Sequence, residues 1–413
     1  MSIPELERHT CNAFSLASRW LSQRFKPRVT CYIDATSNIP VSEIRFVPGH
    51  EEQWILTVSK SVWDVITIWD VSAEEPRRCC EWSLRGATFN GFALNADSNS
   101  QAMLAVSVLN DGEHVLDIFT VEMHVDGTYH FRILNSIQSN LKPITLQGDL
   151  LAVSDDVAQT VIWDWRAGTS AILEHRQDGF ARHNNCIQVV FATDSILVVR
   201  ARFIHLFPKP KLHSGTPQIY TPIAQHSFGW TDGVSVAPAR LVPGSSSNFL
   251  SLSILIQGEL NDPWSSERRS LDLFTLHPNP SYSSSPSDTN TGKSPVPYIF
   301  PPILTTQVHT VRGSLRCRNF TLGRCGTAVW IHPRDLMYET TLCDLLVVAA
   351  FPGPLAASSS FDDSDSHASS SVTQSIQLHT NYLHNSWTSL DYDEERGRIV
   401  LGSSYGPIMI LEF

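Results

Sequence analysis

The amino-acid sequence predicts an all-β fold, a seven-bladed β-propeller with a short N-terminal α-helix. Three observations predict it. Runs of β-branched and aromatic residues, broken by Gly, Pro, Asn, Asp and Ser, recur along almost the whole chain. Their spacing begins near the length of one four-stranded blade. The longer spacings coincide with low-complexity inserts.

The helix is read over 2–24. Ser2 stands three residues before Glu5, a capping-box pattern that satisfies two free N–H groups at a helix start. Leu6, Thr10, Ala13, Ala17, Trp20 and Leu21 follow at spacings of three or four, which makes one apolar stripe. Pro27 ends it. Residues 1–26 are therefore a helix and linker, and 27–413 the propeller.

Seven runs mark the blades: VITIWDV (65–71), VLDIFTV (115–121), TVIWDW (160–165), FIHLFPK (203–209), SLDLFTL (270–276), LLVVAAF (345–351) and PIMILEF (407–413). Aligned on Trp69, Phe119, Trp163, Phe207, Phe274, Phe351 and Ile410, they lie 50, 44, 44, 67, 77 and 59 residues apart. The last two intervals hold tracts rich in Ser, Pro, Gly and Asp, predicted to form disordered loops over 279–297 and 357–373, since such composition buries too little apolar surface to order itself. In five repeats two preceding strands are also legible, for example Ser42–Val47 and Trp54–Val58 before the first marker. The seventh marker strand reaches Phe413, so its blade needs a fourth strand from elsewhere. Arg28–Asp34 is strand-like and is predicted to pair with Pro407–Phe413, because an unpaired edge leaves a row of N–H and C=O groups unsatisfied.

Composition narrows the function. Thirty Lys and Arg stand against 41 Asp and Glu, a net charge of -11, which disfavours nucleic acid, whose affinity comes from basic side chains displacing counterions. No apolar run is long enough to span a bilayer, and the N-terminus has no secretory pattern, so a cytoplasmic or nuclear protein is expected. Eight cysteines without a C-x-x-C pair read as reduced thiols, and adjacent Cys79 and Cys80 should face opposite sides of a strand. Cys317, Cys325, His309 and His332 are the nearest approach to a zinc set but lack closely spaced pairs, so no metal and no cofactor is implied. Gly402-Ser403-Ser404-Tyr405-Gly406 satisfies the G-x-S-x-G pattern of a hydrolase nucleophile. It joins two strands and no acid–histidine partners follow it, so it reads as a hairpin turn. No catalytic residue is predicted.

Trp69-Asp70 and Trp163-Asp164, at this spacing, resemble the signature of WD-repeat propellers. The stretches PELERHTCNAFSLASRWLSQRFKPRVT, IRFVPGHEEQWILTVS and LGRCGTAVWIHPRD resemble fungal F-box proteins with a C-terminal propeller. That resemblance implies the substrate-recognition half of a ubiquitin-ligase receptor. The F-box itself is not present, since MSIPELERH is too short for it, and a ligase adaptor is a partner only if an F-box is supplied upstream. The expected function is thus a non-catalytic scaffold for protein partners. In a propeller, turns from second to third strands share a face with the connections between blades. On that face Arg182, Arg200, Arg202, Trp230 and Tyr405 are the candidate partner-binding residues, of the types that anchor interfaces. The alternative is a hydrolase-type enzyme with a site at the central channel. It would need convergent carboxylates or histidines where the inner strands instead offer Ile44, Phe92, Val189 and Leu390. A propeller that binds membrane surfaces would need a basic loop cluster, for which RRCC and ERR are small.

Overall fold

The computed structural model describes Pro27 to Phe413 apart from 35–38, 52, 61, 74, 84–85, 111, 176–183, 239–249, 260–267, 283–295, 313–317, 333–343, 352–371 and 378–386. Before Pro27 it describes Cys11, Asn12, Ser15, Leu16 and Ser18. Strand β1 (Arg28–Asp34) opens the chain but sits in the last blade. Blade 1 is β2 (Val41–Phe46), β3 (Trp54–Lys60), β4 (Asp64–Asp70) and β5 (Arg77–Trp82). Blade 2 follows as β6 (Thr88–Leu94), β7 (Leu104–Asn110), β8 (Glu113–Met123) and β9 (Tyr129–Gln138). In blade 3 the four strands β10 (Lys142–Gln147), β11 (Leu150–Ser154), β12 (Gln159–Asp164) and β13 (Thr169–Glu174) gain a fifth from further along the chain. Blade 4 begins with β14 (Cys186–Phe191), β15 (Ser195–Arg200) and β16 (Phe203–Pro208). The chain then crosses back as β17 (Gln218–Tyr220), parallel to β13, before returning as β18 (Ala224–Ser227), the outer strand of blade 4.

Blade 5 comprises β19 (Thr231–Pro238), β20 (Leu252–Gly258), β21 (Arg268–Leu276) and β22 (Ile303–Arg312). Blade 6 comprises β23 (Arg318–Leu322), β24 (Thr327–His332), β25 (Leu345–Ala350) and β26 (Val372–Gln377). Blade 7 is β27 (Trp387–Asp393), β28 (Arg398–Ser403) and β29 (Pro407–Glu412), with β1 as its outer strand. All seven marker runs are third strands. β1 runs antiparallel to β29 from Arg28 opposite Glu412 to Asp34 opposite Pro407, with one bulge, so polypeptide from both ends of the chain makes one sheet.

The core is divided among the junctions between blades. Among the described residues, seven clusters of buried apolar side chains lie one per junction: for example Ile33, Val41, Ile44, Ile55, Val400, Ile408 and Ile410 between blades 7 and 1, and Leu116, Ile118, Leu151, Val153 and Trp163 between blades 2 and 3. Each blade therefore buries both faces only if it has two neighbours, and a ring is the arrangement that gives every blade two. At about 1.5–3 kcal/mol per buried aliphatic side chain, these junctions dominate the stabilisation.

Polar bonds at every junction fix how the blades meet. The Gln188 side chain both accepts from Val236 N (2.9 Å) and donates to Val236 O (3.0 Å), joining inner strands of blades 4 and 5. Asn95 does the same to Gly148 between blades 2 and 3, at 2.9 Å each way. Thr145 Oγ1 donates to Val189 O (2.9 Å), Leu322 N to Ser235 Oγ (3.0 Å), Phe46 N to Asp391 Oδ2 (2.8 Å) and Phe89 N to Asp64 Oδ2 (3.2 Å). Glu394, buried, takes the N–H of Cys325 and the N–H and hydroxyl of Thr327, which ties blade 7 to blade 6.

The Trp-Asp pairs act locally as well. Trp69 Nε1 donates to Thr57 Oγ1 (3.0 Å) on the adjacent strand. Asp70 accepts from Ser72 N and Oγ and from Arg77. Although burial works against its charge, these bonds hold its carboxyl below the usual range. Asp164 accepts from Arg166 N and Ala167 N, closing the turn into β13, where Gly168 takes φ 67°.

Several expectations are corrected. The helix over 2–24, as an element, lies outside the described residues. The position there with a clear packing role is Leu16, which is outside the expected stripe and is buried in the core between blades 6 and 7. The loop expected over 279–297 is drawn too wide: Asn279 N and Nδ2 donate to Pro297 O and Val296 O, and Pro278 bridges to Tyr298. Val372 and Thr373, placed in the loop over 357–373, begin β26. Cys79 and Cys80 both pack on the junction between blades 1 and 2, because a bulge makes Cys79 an extra residue opposite β4 and spoils the alternation. Burial raises the Cys80 thiol to about 12 and that of Cys186 to about 11, so both stay protonated and unreactive.

Candidate interaction face

Alternation of strand direction puts the turns from second to third strands, and the connections between blades, on one face of the ring, here called upper. Of the five predicted residues, the structure brings two together. Arg202 lies in the β15–β16 turn and Trp230 in the connection from blade 4 to blade 5. The Arg202 guanidinium carbon is 4.8 Å from the Trp230 ring and 5.3 Å from the ring of Phe203. Backbone bonds hold the corner: Thr231 N to Ala201 O (2.8 Å), Glu259 N to Trp230 O (2.8 Å) and Ser227 Oγ to Arg202 O (3.1 Å). Trp230 remains 38% exposed. An aromatic ring backed by a stacked guanidinium on a fixed turn is a low-entropy contact surface, the kind that anchors interfaces.

Tyr405 is on the same face in blade 7, half-buried, in a turn where Tyr405 N donates to Ser403 Oγ (3.2 Å) and Gly406 N to Ser403 O (3.1 Å). The G-x-S-x-G segment is thus a hairpin connection, and Ser403 is spent on its geometry. Arg182 lies outside the described residues. A residue that the sequence reading passed over, Trp63, stands on the β3–β4 turn of blade 1 and is 42% exposed, beside the more exposed Val62. Its signal was present: a tryptophan two residues into a turn between two apolar strands has no strand face in which to hide.

Arg200 is a correction. It is buried, not an anchor on the surface. Its Nη1 donates to Asn184 O (2.9 Å) and Asp155 O (3.2 Å). Its Nη2 donates to Gln159 O (2.8 Å), Ser154 Oγ (2.9 Å) and Thr160 Oγ1 (3.1 Å), with Asp155 Oδ1 at 3.4 Å. The side chain reaches from blade 4 into the β11–β12 turn of blade 3 and supplies the donors for its inward-facing oxygens. A planar fork with five N–H groups suits that task.

Beneath it His205 stacks on His175, with ring centroids 4.2 Å apart. Burial, with the charges of His175 and Arg200 adding to it, pushes the His205 imidazole down to about 3. In the unfolded chain a histidine takes up its proton near pH 6.5. Between these values the unfolded state binds more protons, so this group lowers stability as pH falls from about 6.5 toward 3, by up to about 1.4 kcal/mol per unit. Denaturant titrations from pH 7 to 4 should show a shallower decline for His205→Phe than for the parent chain, and equal slopes would contradict this assignment.

The carboxylates of β27 and its following turn are engaged: Asp391 with Phe46 N, Asp393 with the N–H groups of Glu395 and Arg396, and Glu394 with Thr327 and Cys325. Among the described residues no three His, Cys, Asp or Glu converge as a metal site. Cys317, of the weak zinc set, lies outside them. Among the described residues no helix is long and apolar enough to cross a membrane.

The sequence matches no family model and no curated protein. Solved structures share its fold. Raptor of Chaetomium thermophilum aligns over 96% of this chain and 30% of its own, with a TM-score of 0.55 and 11% identity. The β-propeller domain of Myceliophteria thermophila Cps50 (Swd1) aligns over 94% of this chain and all of its own, at 0.54 and 10%. A humanized mutant of the Chaetomium thermophilum Polycomb Repressive Complex 2, bound to the inhibitor GSK126, aligns over 94% and 98%, at 0.56 and 12%. At these identities the likeness is one of fold, and with the seven sheets it makes the chain a seven-bladed β-propeller.

Proposed function

We propose that the chain is a non-catalytic protein-interaction propeller that takes a protein partner on its upper face. More specifically, it would serve as the substrate-recognition half of an F-box-type ubiquitin-ligase receptor, with the adaptor-docking module outside this chain. The observation that carries the reading is the Arg202–Trp230–Phe203 stack, an exposed aromatic corner held rigid by backbone hydrogen bonds. Solved propellers of the same fold include one from a named multiprotein complex, Polycomb Repressive Complex 2, which supports a partner of protein character in general. The engagement of Asp391 and Glu394 in joining blades favours a scaffold over the channel enzyme. Binding energy would come from a few desolvated aromatic and Arg contacts, with the ring supplying rigidity.

The test is affinity purification from the native cell, comparing the parent chain with Trp230→Ala and Trp63→Ala. Expected is at least about a tenfold loss of a specific partner for Trp230→Ala, an anchor-sized effect, with an unchanged melting temperature. Recovery of all partners by both variants would refute the upper-face reading. The ligase reading fails if the product of the complete gene recovers no cullin–RING subunits.

A further inference from the structure

The lower face carries a feature that the upper-face function does not use. A cavity of about 800 Å³ lies across the lower end of blade 3. Its floor is apolar: Leu150 and Ile162 of blade 3, Phe191 and Ile196 of blade 4, and Leu212 from the segment that crosses between them. That volume falls within the roughly 300–1,000 Å³ of ligand pockets. The crossing segment makes the site distinctive. After β16 the chain leaves blade 4, pairs with blade 3 through a Ser170–His213 bridge and β17, and returns as β18, so residues 209–212 wall the cavity from the side.

Opposite charges flank this apolar floor. Asp97 comes from the first turn of blade 2; its Oδ1 accepts from Asn99 N (3.0 Å) and Nδ2 (3.3 Å), while Oδ2 has no hydrogen-bond partner among the described residues. Lys209 comes from the far side, in blade 4. Its Nζ makes one long bond, 3.4 Å to Thr193 O, and no ion pair among the described residues. On this face Asp149 is matched by Arg166 at 3.1 Å, while Asp194, whose backbone carbonyl accepts from Lys209 N, keeps a buried carboxylate oxygen without a hydrogen-bond partner among the described residues. Gly148, at φ 61°, lines the cavity next to Asp97, where a Cβ would lie 3.5 Å from Oδ2.

We propose that this cavity is a peptide-binding site for an extended segment of a partner protein, whose apolar side chain fills the floor between a basic residue paired with Asp97 and an acidic residue or terminal carboxylate paired with Lys209. The argument is charge complementarity across an apolar pocket. Charges of opposite sign on blades 2 and 4, with blade 3 and its apolar floor between them, suit an elongated occupant carrying both signs in a fixed order. The rims are turns of three rigid blades, so the site is largely formed before binding, which keeps the ordering cost low.

The test pans a phage-displayed library of random dodecapeptides against the full chain and measures synthetic versions of enriched peptides by fluorescence anisotropy. Expected are peptides with one large apolar residue, Lys or Arg to one side and Asp or Glu to the other. Affinity should fall at least about tenfold for Thr193→Trp, which blocks the mouth from an exposed turn. The exchanged pair Asp97→Lys with Lys209→Asp reverses both charges at the loss of the Asn99 turn bonds, which Asp97→Asn retains as the control, and should prefer the peptide with its two charged residues interchanged. Trp230→Ala should bind as the parent does, which separates this site from the upper face. No enrichment, unchanged affinity in Thr193→Trp, or no change of preference in the exchanged pair would overturn the proposal.

Discussion

Deleting Pro407–Phe413 is expected to abolish cooperative folding of the entire ring, not only of blade 7. The segment carries Ile408, Met409, Ile410 and Leu411, all buried, in the cores that join blade 7 to blades 6 and 1. At about 1.5–3 kcal/mol each, four such side chains amount to about 6–12 kcal/mol, against the roughly 5–15 kcal/mol by which folded proteins are usually stable. The loss does not stop there. β29 lies between β28 and β1, so its removal strips both strands of their ladder partners and leaves β1 with nothing to pair with. Deleting 358–371 should by contrast cost under about 1 kcal/mol, since loop closure depends only logarithmically on length. Circular dichroism and denaturant titration distinguish the two. A deletion of 407–413 that still unfolds in one sharp transition of near-parental midpoint would contradict the closed ring. The substitution Ile410→Asp probes the same contact without shortening the chain, by placing a carboxylate among Ile33, Val41 and Val400.

Arg200→Met should be among the most destabilising single substitutions in the molecule, by about 3–5 kcal/mol, as for other buried charges that lose a partner. Its methylenes would still fill space. What disappears are the donors to Ser154 Oγ, Thr160 Oγ1 and the carbonyls of Gln159, Asp155 and Asn184, which remain enclosed at the meeting of blades 3 and 4. Arg200→Lys should recover only part of the loss, because a single ammonium cannot replace a fork whose two ends serve different turns. Urea titration of the three proteins measures the effect. A change below about 1 kcal/mol for Arg200→Met would mean that the network contributes little and that water replaces it readily.

The two expectations mark where the sequence is informative and where it is not. The markers around Trp69, Phe119, Trp163, Phe207, Phe274, Phe351 and Ile410 are third strands, buried on both faces, so they read as nearly continuous apolar runs with recognisable ends. That was enough to count blades. The first strands of blades 5 and 6 were harder: TDGVSVAP and RNFTL are short of apolar residues, because their polar members reach neighbouring blades, as Ser235 does for Leu322 N. β17 was illegible, three residues in a Pro-rich stretch whose partner strand lies over forty residues earlier. Arg200 was misplaced for the same reason. An arginine that ends the run SILVVR looks like the start of a turn until residues 154–160 arrive from another blade to surround it. Of the candidate face, the Arg202–Trp230 pairing joins turns nearly thirty residues apart and needed only the blade count. The lower cavity needed the crossing segment, which periodicity does not reveal.

Hydrogen exchange of the Arg28–Asp34 peptide tests the closure most directly. In the intact chain those of its amides that pair with β29 should exchange as slowly as those of Arg398–Ser403, since both strands flank β29 and open only when the ring does. Exchange of Arg28–Asp34 at the rate of an unstructured peptide, while Arg398–Ser403 stays protected, would show that the two ends of the chain do not share a blade.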